Sequence, residues 1–231
     1  MNSGRTIFAI LLVCSRASAA DAGTYVRISQ PAGMDGSGTS CSSGTLIGWT
    51  TDCARGIFLS CAHGYDTQRP VAIQLDSDHQ TSVEGRFLAI DRDLELSLIA
   101  APVSRSTEML RLAERSPHAC DRVRLIGYPD KNFRDQETCI TGRFWSRDAC
   151  TTRWTLYEAD PCCLRPEGYH ELLVTAAASA PGLSGGAVVR NRKLVGVVVG
   201  RITNANDVGL IVPGETVKRF VCQNIALFYC R

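Results

Sequence analysis

The chain has 231 residues, 45% of them hydrophobic and 21% charged, proportions that exclude a disordered or collagen-like chain. A formal charge of +2 with no run of Lys and Arg excludes the basic footprint that a nucleic-acid partner requires. Eleven cysteines are too many for an ordinary reduced cytosolic enzyme, and their number is odd.

The N-terminus accounts for the odd count. Arg5 is followed by an apolar run from Thr6 to Cys14 and then by Ala17-Ser18-Ala19-Ala20. A basic start, a short apolar core and an Ala-x-Ala ending describe a secretory signal over residues 1–20, cut after Ala19 or Ala20. The alternative, a lipid anchor at Cys14, is disfavoured by the bulky Val13 before it. The run is too short to span a bilayer, and no later stretch approaches the roughly 18 apolar residues a span requires. Removing the segment takes away Arg5, Arg16 and Cys14. The remainder has equal numbers of acidic and basic residues and an even ten cysteines, as suits a secreted or periplasmic chain with disulfides.

Short apolar runs of period two then follow, separated by Gly, Pro, Asp and Ser. They cover Ser43–Trp49, Gly56–Cys61, Val71–Leu75, Arg86–Ile90, Leu94–Ala100, Asp121–Gly127 and Thr138–Phe144. Thr152–Tyr157, Leu172–Ala177, Gly186–Val189, Leu194–Ile202 and Val208–Val212 complete the set. About a dozen such runs predict an all-β sandwich or pair of barrels, and the gaps leave no room for alternating helices. Ala101–Pro117 has weaker patterning and reads as a connection between two halves. After Pro213-Gly214, the spacing of Val217, Phe220, Val221, Ile225 and Phe228 predicts a closing amphipathic helix of three to four turns.

Two segments carry chemistry. His63 ends the apolar run Ile57–Ala62 and is followed by Gly64, an arrangement that presents an imidazole at a strand end. The other histidines, His79, His118 and His170, sit in polar loops and read as surface. Residues 181–189, Pro-Gly-Leu-Ser-Gly-Gly-Ala-Val-Val, place Ser184 among glycines that let backbone N–H groups approach a substrate carbonyl. This string also fits the elbow of α/β-hydrolases, whose histidine follows the serine. No histidine follows Ser184, so that class fails on chain order. Zinc is disfavoured because paired C-x₂-C spacings are absent, and no metal or other cofactor is implied. A general-base histidine needs a carboxylate on its far nitrogen. In Asp91-Arg92-Asp93-Leu94-Glu95, Asp93 is the predicted partner, Asp91 the alternative, and Glu95 is predicted to be exposed.

With these segments in hand, the chain resembles trypsin-like serine proteases, closest to the compact bacterial heat-shock (high-temperature-requirement) type. The resemblance rests on Ser43-Gly44-Thr45-Leu46-Ile47, Leu59-Ser60-Cys61-Ala62-His63, Asp93-Leu94-Glu95-Leu96, Pro181–Gly186 and Leu194-Val195-Gly196-Val197, in the order His, Asp, Ser. It implies two antiparallel six-stranded Greek-key barrels with the active site between them. The first barrel would occupy about 23–100, a linker 101–118, the second barrel 119–213 and the closing helix 214–230. Ser184 would be the nucleophile, His63 the base and later the acid, and Asp93 the residue that orients it. The N–H groups of Gly182 and Ser184 would line an oxyanion hole. Ala178 would form the base of the substrate pocket and the strand to Gly200 its wall, which disfavours Lys or Arg substrates.

The departures are specific. Leu183 stands where pancreatic relatives place an Asp, so activation by a terminal salt bridge is not expected. A small residue is usual where Glu95 stands, and no C-terminal peptide-binding (PDZ) domain is expected. A segment with Cys139, Cys150, Cys162 and Cys163 is extra and reads as a disulfide-stapled loop. Cys41 and Cys61, near the ends of neighbouring strands, are the one predicted pair. The implied activity is that of a secreted, monomeric serine endopeptidase acting on protein or peptide. The alternative is a silent homologue that serves as a binding module.

Overall fold

The computed structural model describes residues 24–31, 38–75, 81–115, 117, 121–129, 138–146, 173–175, 181–201, 209–224 and 226, with only the backbone for 138–146, 173–175 and 201. The predicted signal, the run Thr152–Tyr157, Ala178, His79, His118, His170 and the side chains of the cysteine-rich segment lie outside the described residues.

Six strands form the first half: β1 (Tyr25–Pro31), β2 (Thr39–Trp49), β3 (Gly56–Cys61), β4 (Val71–Gln74), β5 (Ser82–Asp91) and β6 (Leu96–Ala101). They close into an antiparallel barrel in the order β1-β2-β3-β6-β5-β4. The period-two runs account for the closure. Val26 and Ile28 of β1, Leu46 of β2, Leu59 of β3, Ile73 of β4 and Leu98 of β6 are all fully buried, as alternation onto one face requires. Strand β1 is not among the predicted runs, because Arg27, Ser29 and Gln30 interrupt its apolar residues. Arg27 and Gln30 are nonetheless buried, and the Gln30 amide donates to the carbonyls of Asp66, Arg69 and Pro70.

The second half contains β7 (Arg111–Leu112), β8 (Arg122–Gly127), β9 (Thr138–Ser146), β10 (Leu173–Thr175), β11 (Ala187–Arg190), β12 (Lys193–Arg201) and β13 (Gly209–Pro213). They lie in the order β11-β8-β9-β10-β13-β12-β7, and a further pairing of β11 with β12 joins six of them into a ring. The two-barrel expectation therefore holds, with β7 as an addition. Strand β7 falls in the predicted linker and runs parallel to β12. The linker is stitched to both halves, since Leu110 N–H donates to Leu46 O and Ala113 N–H to Leu194 O.

Alternation on the second-half strands sorts their side chains into two apolar clusters. Ala187, Val189, Val197, Val199 and Leu210 join the cluster that also contains the first barrel's Ile28, Leu59 and Leu98. Val188, Val198 and Ile211 form the other with Val123 and Leu125. The closing helix α1 (Gly214–Gln223) buries Val217, Phe220 and Val221. It is capped at Asn224, short of the predicted 230, and the later part of that prediction lies outside the described residues apart from residue 226.

Phe58 is fully buried in the shared cluster, whereas Met109 is 41% exposed. Phe58→Ala is expected to lower the unfolding free energy by about 3–5 kcal/mol. Met109→Ala should stay within about 0.5 kcal/mol of wild type. Urea unfolding curves of both variants check this, and a Phe58→Ala midpoint close to wild type would contradict the packing described.

Candidate active site

His63 lies two residues beyond the end of β3, and β3 pairs with β6 up to Cys61 opposite Leu96. One further ladder bond, Ala62 N–H to Glu95 O at 3.2 Å, continues that register past the strand ends. Glu95 is thereby brought alongside His63, and its Oε2 lies 2.8 Å from His63 Nδ1. The carboxylate on the histidine is therefore Glu95, in place of the predicted Asp93.

Local geometry explains the correction. Strand β5 ends at Asp91 and pairs there with Leu96, so residues 92–95 form the hairpin loop and not a strand start. Asp93 is exposed in this loop, and Asp91 is occupied in accepting the N–H of Leu94 at 2.8 Å. Glu95 has φ +57°, the left-handed region that costs a non-glycine residue roughly 1–2 kcal/mol. That turn breaks the strand alternation on which the exposure of Glu95 was predicted. Glu95 is 1% exposed, while the His63 side chain remains 25% exposed.

Burial disfavours the imidazolium. The Cys61 sulfur and the Glu95 carboxylate beside the ring outweigh that and hold His63 well above its usual range. Cys61 contributes as a free sulfur. The predicted Cys41–Cys61 bridge is absent, and both residues are free cysteines, as are Cys53 and Cys222. Strand register gives the reason. Gly44 of β2 faces Ser60 of β3, which sets Cys61 alongside Ser43, two residues away from Cys41. The Cys41 sulfur instead accepts from the Arg27 guanidinium at 3.4 Å. Among the described residues, no group of three or more His, Cys, Asp or Glu is placed to hold a metal.

Ser184 sits in the loop that leads into β11. Its carbonyl accepts the N–H of Ser43 at 2.7 Å, which ties the loop to β2 where its pairing with β3 stops, next to Cys61. Leu183 is fully buried among Val123, Leu125 and Val188, so this position is apolar in its surroundings as well as its identity. Gly182 and Gly185 have φ of +85° and +80°. Gly185 must be glycine on a second count, because a Cβ there would collide with the Ser43 carbonyl, the Ser60 hydroxyl and the Cys61 amide.

The peptide planes of this loop have a direction. Leu183 O accepts the N–H of Gly186 at 2.9 Å. In a trans peptide the C=O and N–H point opposite ways, so the Ser184 N–H of the same plane faces away from Gly186. Among the described residues, the N–H groups of Gly182 and Ser184 have no main-chain partner. Gly200, predicted for the pocket wall, lies on β12 opposite Leu210 at an irregularity in the β12–β13 ladder.

A six-stranded barrel, a second ring of strands and a closing helix make this a chymotrypsin-like protein. The chain belongs to the trypsin-like peptidase domain family, which matches residues 36–200. Its fold is similar to that of the Rv3671c protease from M. tuberculosis in its active form (TM-score 0.66, 17% identity, 96% of this chain and 93% of that one). It is also similar to the serine endoprotease from Yersinia pestis (TM-score 0.64, 18% identity, 90% of this chain and 64% of that one). No curated protein sequence matches.

The carboxylate assignment is open to direct measurement. An NMR titration should place His63 above the roughly 6.5 of a free imidazole. Glu95→Gln should lower that value by removing the charge that favours imidazolium, and Asp93→Asn should leave it in place. The opposite ranking of the two variants would return Asp93 to the site.

Proposed function

We propose that the chain is an exported serine endopeptidase that cleaves peptide bonds through an acyl-enzyme on Ser184, with His63 as base and Glu95 as the acid of the triad. The observation that carries this reading is the 2.8 Å bond from His63 Nδ1 to a buried carboxylate. It holds one ring nitrogen and leaves Nε2 as the nitrogen for proton transfer.

In this mechanism Ser184 Oγ attacks the substrate carbonyl as His63 Nε2 takes its proton. The imidazolium so formed faces Glu95, which stabilises it without itself being protonated. Negative charge gathers on the former carbonyl oxygen, where the N–H groups of Gly182 and Ser184 are the available donors. His63 returns the proton to the leaving amine, and the acyl group stays on Ser184. Water, deprotonated by His63, then hydrolyses the ester and restores the serine.

A fluorophosphonate probe should label the processed protein on Ser184, and Ser184→Ala should abolish labelling. Equal labelling of the two proteins would sink the enzyme reading in favour of a binding module. Glu95→Gln should reduce kcat by about 10⁴, the order of loss seen when a triad acid becomes its amide. Asp93→Asn should change kcat less than about twofold.

Only neutral His63 can accept the serine proton. Because its value is raised, kcat/KM should climb with pH through a limb that lies above the usual histidine range. Residual activity of Glu95→Gln should rise at lower pH than wild type. A limb at ordinary histidine pH in the wild type would contradict the raised value.

Export rests on the leader-like residues 1–20. N-terminal sequencing of the exported protein should begin at Ala20 or Asp21, and retention of Met1 would rule out this processing.

A further inference from the structure

We infer that Ser43 is a positioning residue for the oxyanion-binding loop: a side chain of the first barrel that sets the orientation of Gly182 in the second half. The inference rests on the proposed acyl-transfer reading and concerns a residue that does not itself touch substrate.

Ser43 is fully buried within β2, one residue beyond the last β2–β3 pair. Its hydroxyl makes two bonds, and both go to the other half of the molecule. Tyr128 N–H reaches it at 2.7 Å, and it reaches Gly182 O at 2.8 Å. The proton assignment is unambiguous. A backbone N–H can only donate, so the oxygen of Ser43 accepts from Tyr128 and its single proton is given to Gly182 O. The Ser43 N–H donates in turn to Ser184 O at 2.7 Å. One residue therefore grips the carbonyls on either side of Leu183, and Leu183 O is held by Gly186 N–H. Three successive carbonyls of the loop are turned into the protein.

Gly182 is where such a grip matters. With φ +85° and no side chain, it is the loop residue freest to rotate. Leu183 is anchored by burial of its side chain, and Gly185 by the lack of space around it. Gly182 has no side chain to anchor it. Rotation about its Cα–C bond would turn the Gly182–Leu183 peptide and shift the chain that presents the N–H groups of Gly182 and Ser184, and that rotation must first break the Ser43 bond.

The site is built for this contact from both sides. Gly127, just before Tyr128, has no room for a side chain, because a Cβ there would press on the Ser43 hydroxyl and Cβ and on Leu183. Ser43's own carbonyl is held by the Ser60 hydroxyl at 2.6 Å. The hydroxyl of Ser43 is thus fixed in place before it reaches the loop.

Ser43→Ala removes the hydroxyl and keeps the main-chain bond to Ser184. On a peptide substrate its kcat should fall between about tenfold and about a hundredfold, the scale of a small misplacement at the reacting centre. KM should stay within about twofold, and the fluorophosphonate labelling rate should fall in step with kcat. The acid limb of the pH profile should not move, since the His63–Glu95 bond is untouched. Ser43→Cys fills the same space with a weaker donor and should fall between Ser43→Ala and wild type. Gln30→Ala is the structural control. Gln30 is buried in β1 and bonds the carbonyls of Asp66, Arg69 and Pro70 without touching Ser43 or the loop, so it should lower Tm and leave kcat in place. If wild type neither cleaves nor labels, the enzyme reading fails. If wild type is active and Ser43→Ala keeps kcat within twofold, or loses KM and kcat equally, the positioning role is overturned.

Discussion

A closed barrel has no free strand edge, and this constraint governs how the two halves of the molecule can meet. Once β1 to β6 have paired around a ring, their main chain has little left to offer a neighbour. What remains is at the strand ends, where the ladder runs out. Strand β2 runs past one such end: beyond the Gly44–Ser60 pair, Ser43 still pairs with Arg27 of β1, but its N–H has no main-chain partner in β3 and is spent on Ser184 O. A contact that joins the halves therefore also holds the serine loop against β2, the neighbour of the histidine strand.

Burial then decides which carboxylate can serve the histidine. An ionised carboxylate withdrawn from water is costly unless it is paired, and Glu95 is almost completely buried. His63 pairs with it, and the pairing is mutual. The carboxylate raises the imidazole's proton affinity, and the imidazolium offsets the carboxylate's desolvation. The left-handed turn at Glu95 is part of this arrangement, because it directs the side chain inward at the point where Asp93 is left in solvent. Backbone strain at a functional residue persists where the surrounding structure over-determines it. Here the Ala62–Glu95 ladder bond and the Asp91–Leu94 turn supply that determination.

These two features mark the boundary of what the sequence could convey. Period-two alternation located most of the strands, since burial on one face is written directly in residue order. The order of His63 before Ser184, with glycines around the serine, was enough to discard one hydrolase class and favour another. Choosing among Asp91, Asp93 and Glu95 required knowing where the β5–β6 hairpin turned. Alternation extrapolated through a loop gives the wrong face. A usable signal was present: Leu96, Leu98 and Ala100 form a complete strand without Leu94, which moves Glu95 into the turn. The Cys41–Cys61 prediction failed for a related reason. Nearness to the ends of adjacent strands does not fix register, and a shift of two residues separates the thiols. Ser43 was visible only as part of a motif, because a hydroxyl in an otherwise apolar strand does not announce whether its partner is local or in another barrel.

The raised proton affinity of His63 has two opposed consequences for the proposed reaction. A more basic imidazole is a better acceptor for the serine proton, and its protonated form is the species that accumulates as the tetrahedral centre develops. The same property lowers the share of neutral imidazole at any given pH. Which consequence dominates depends on how much of the raised affinity survives when a peptide binds. Substrate would cover the quarter-exposed ring, and desolvation acts against the imidazolium. Covering the ring therefore lowers its affinity from the resting value, while Glu95, already buried, changes little. Substrate burial thus favours the base form. In this arrangement the Cys61 sulfur and the Glu95 carboxylate raise the imidazole's basicity, and the remaining exposure of the ring gives substrate a means to adjust it.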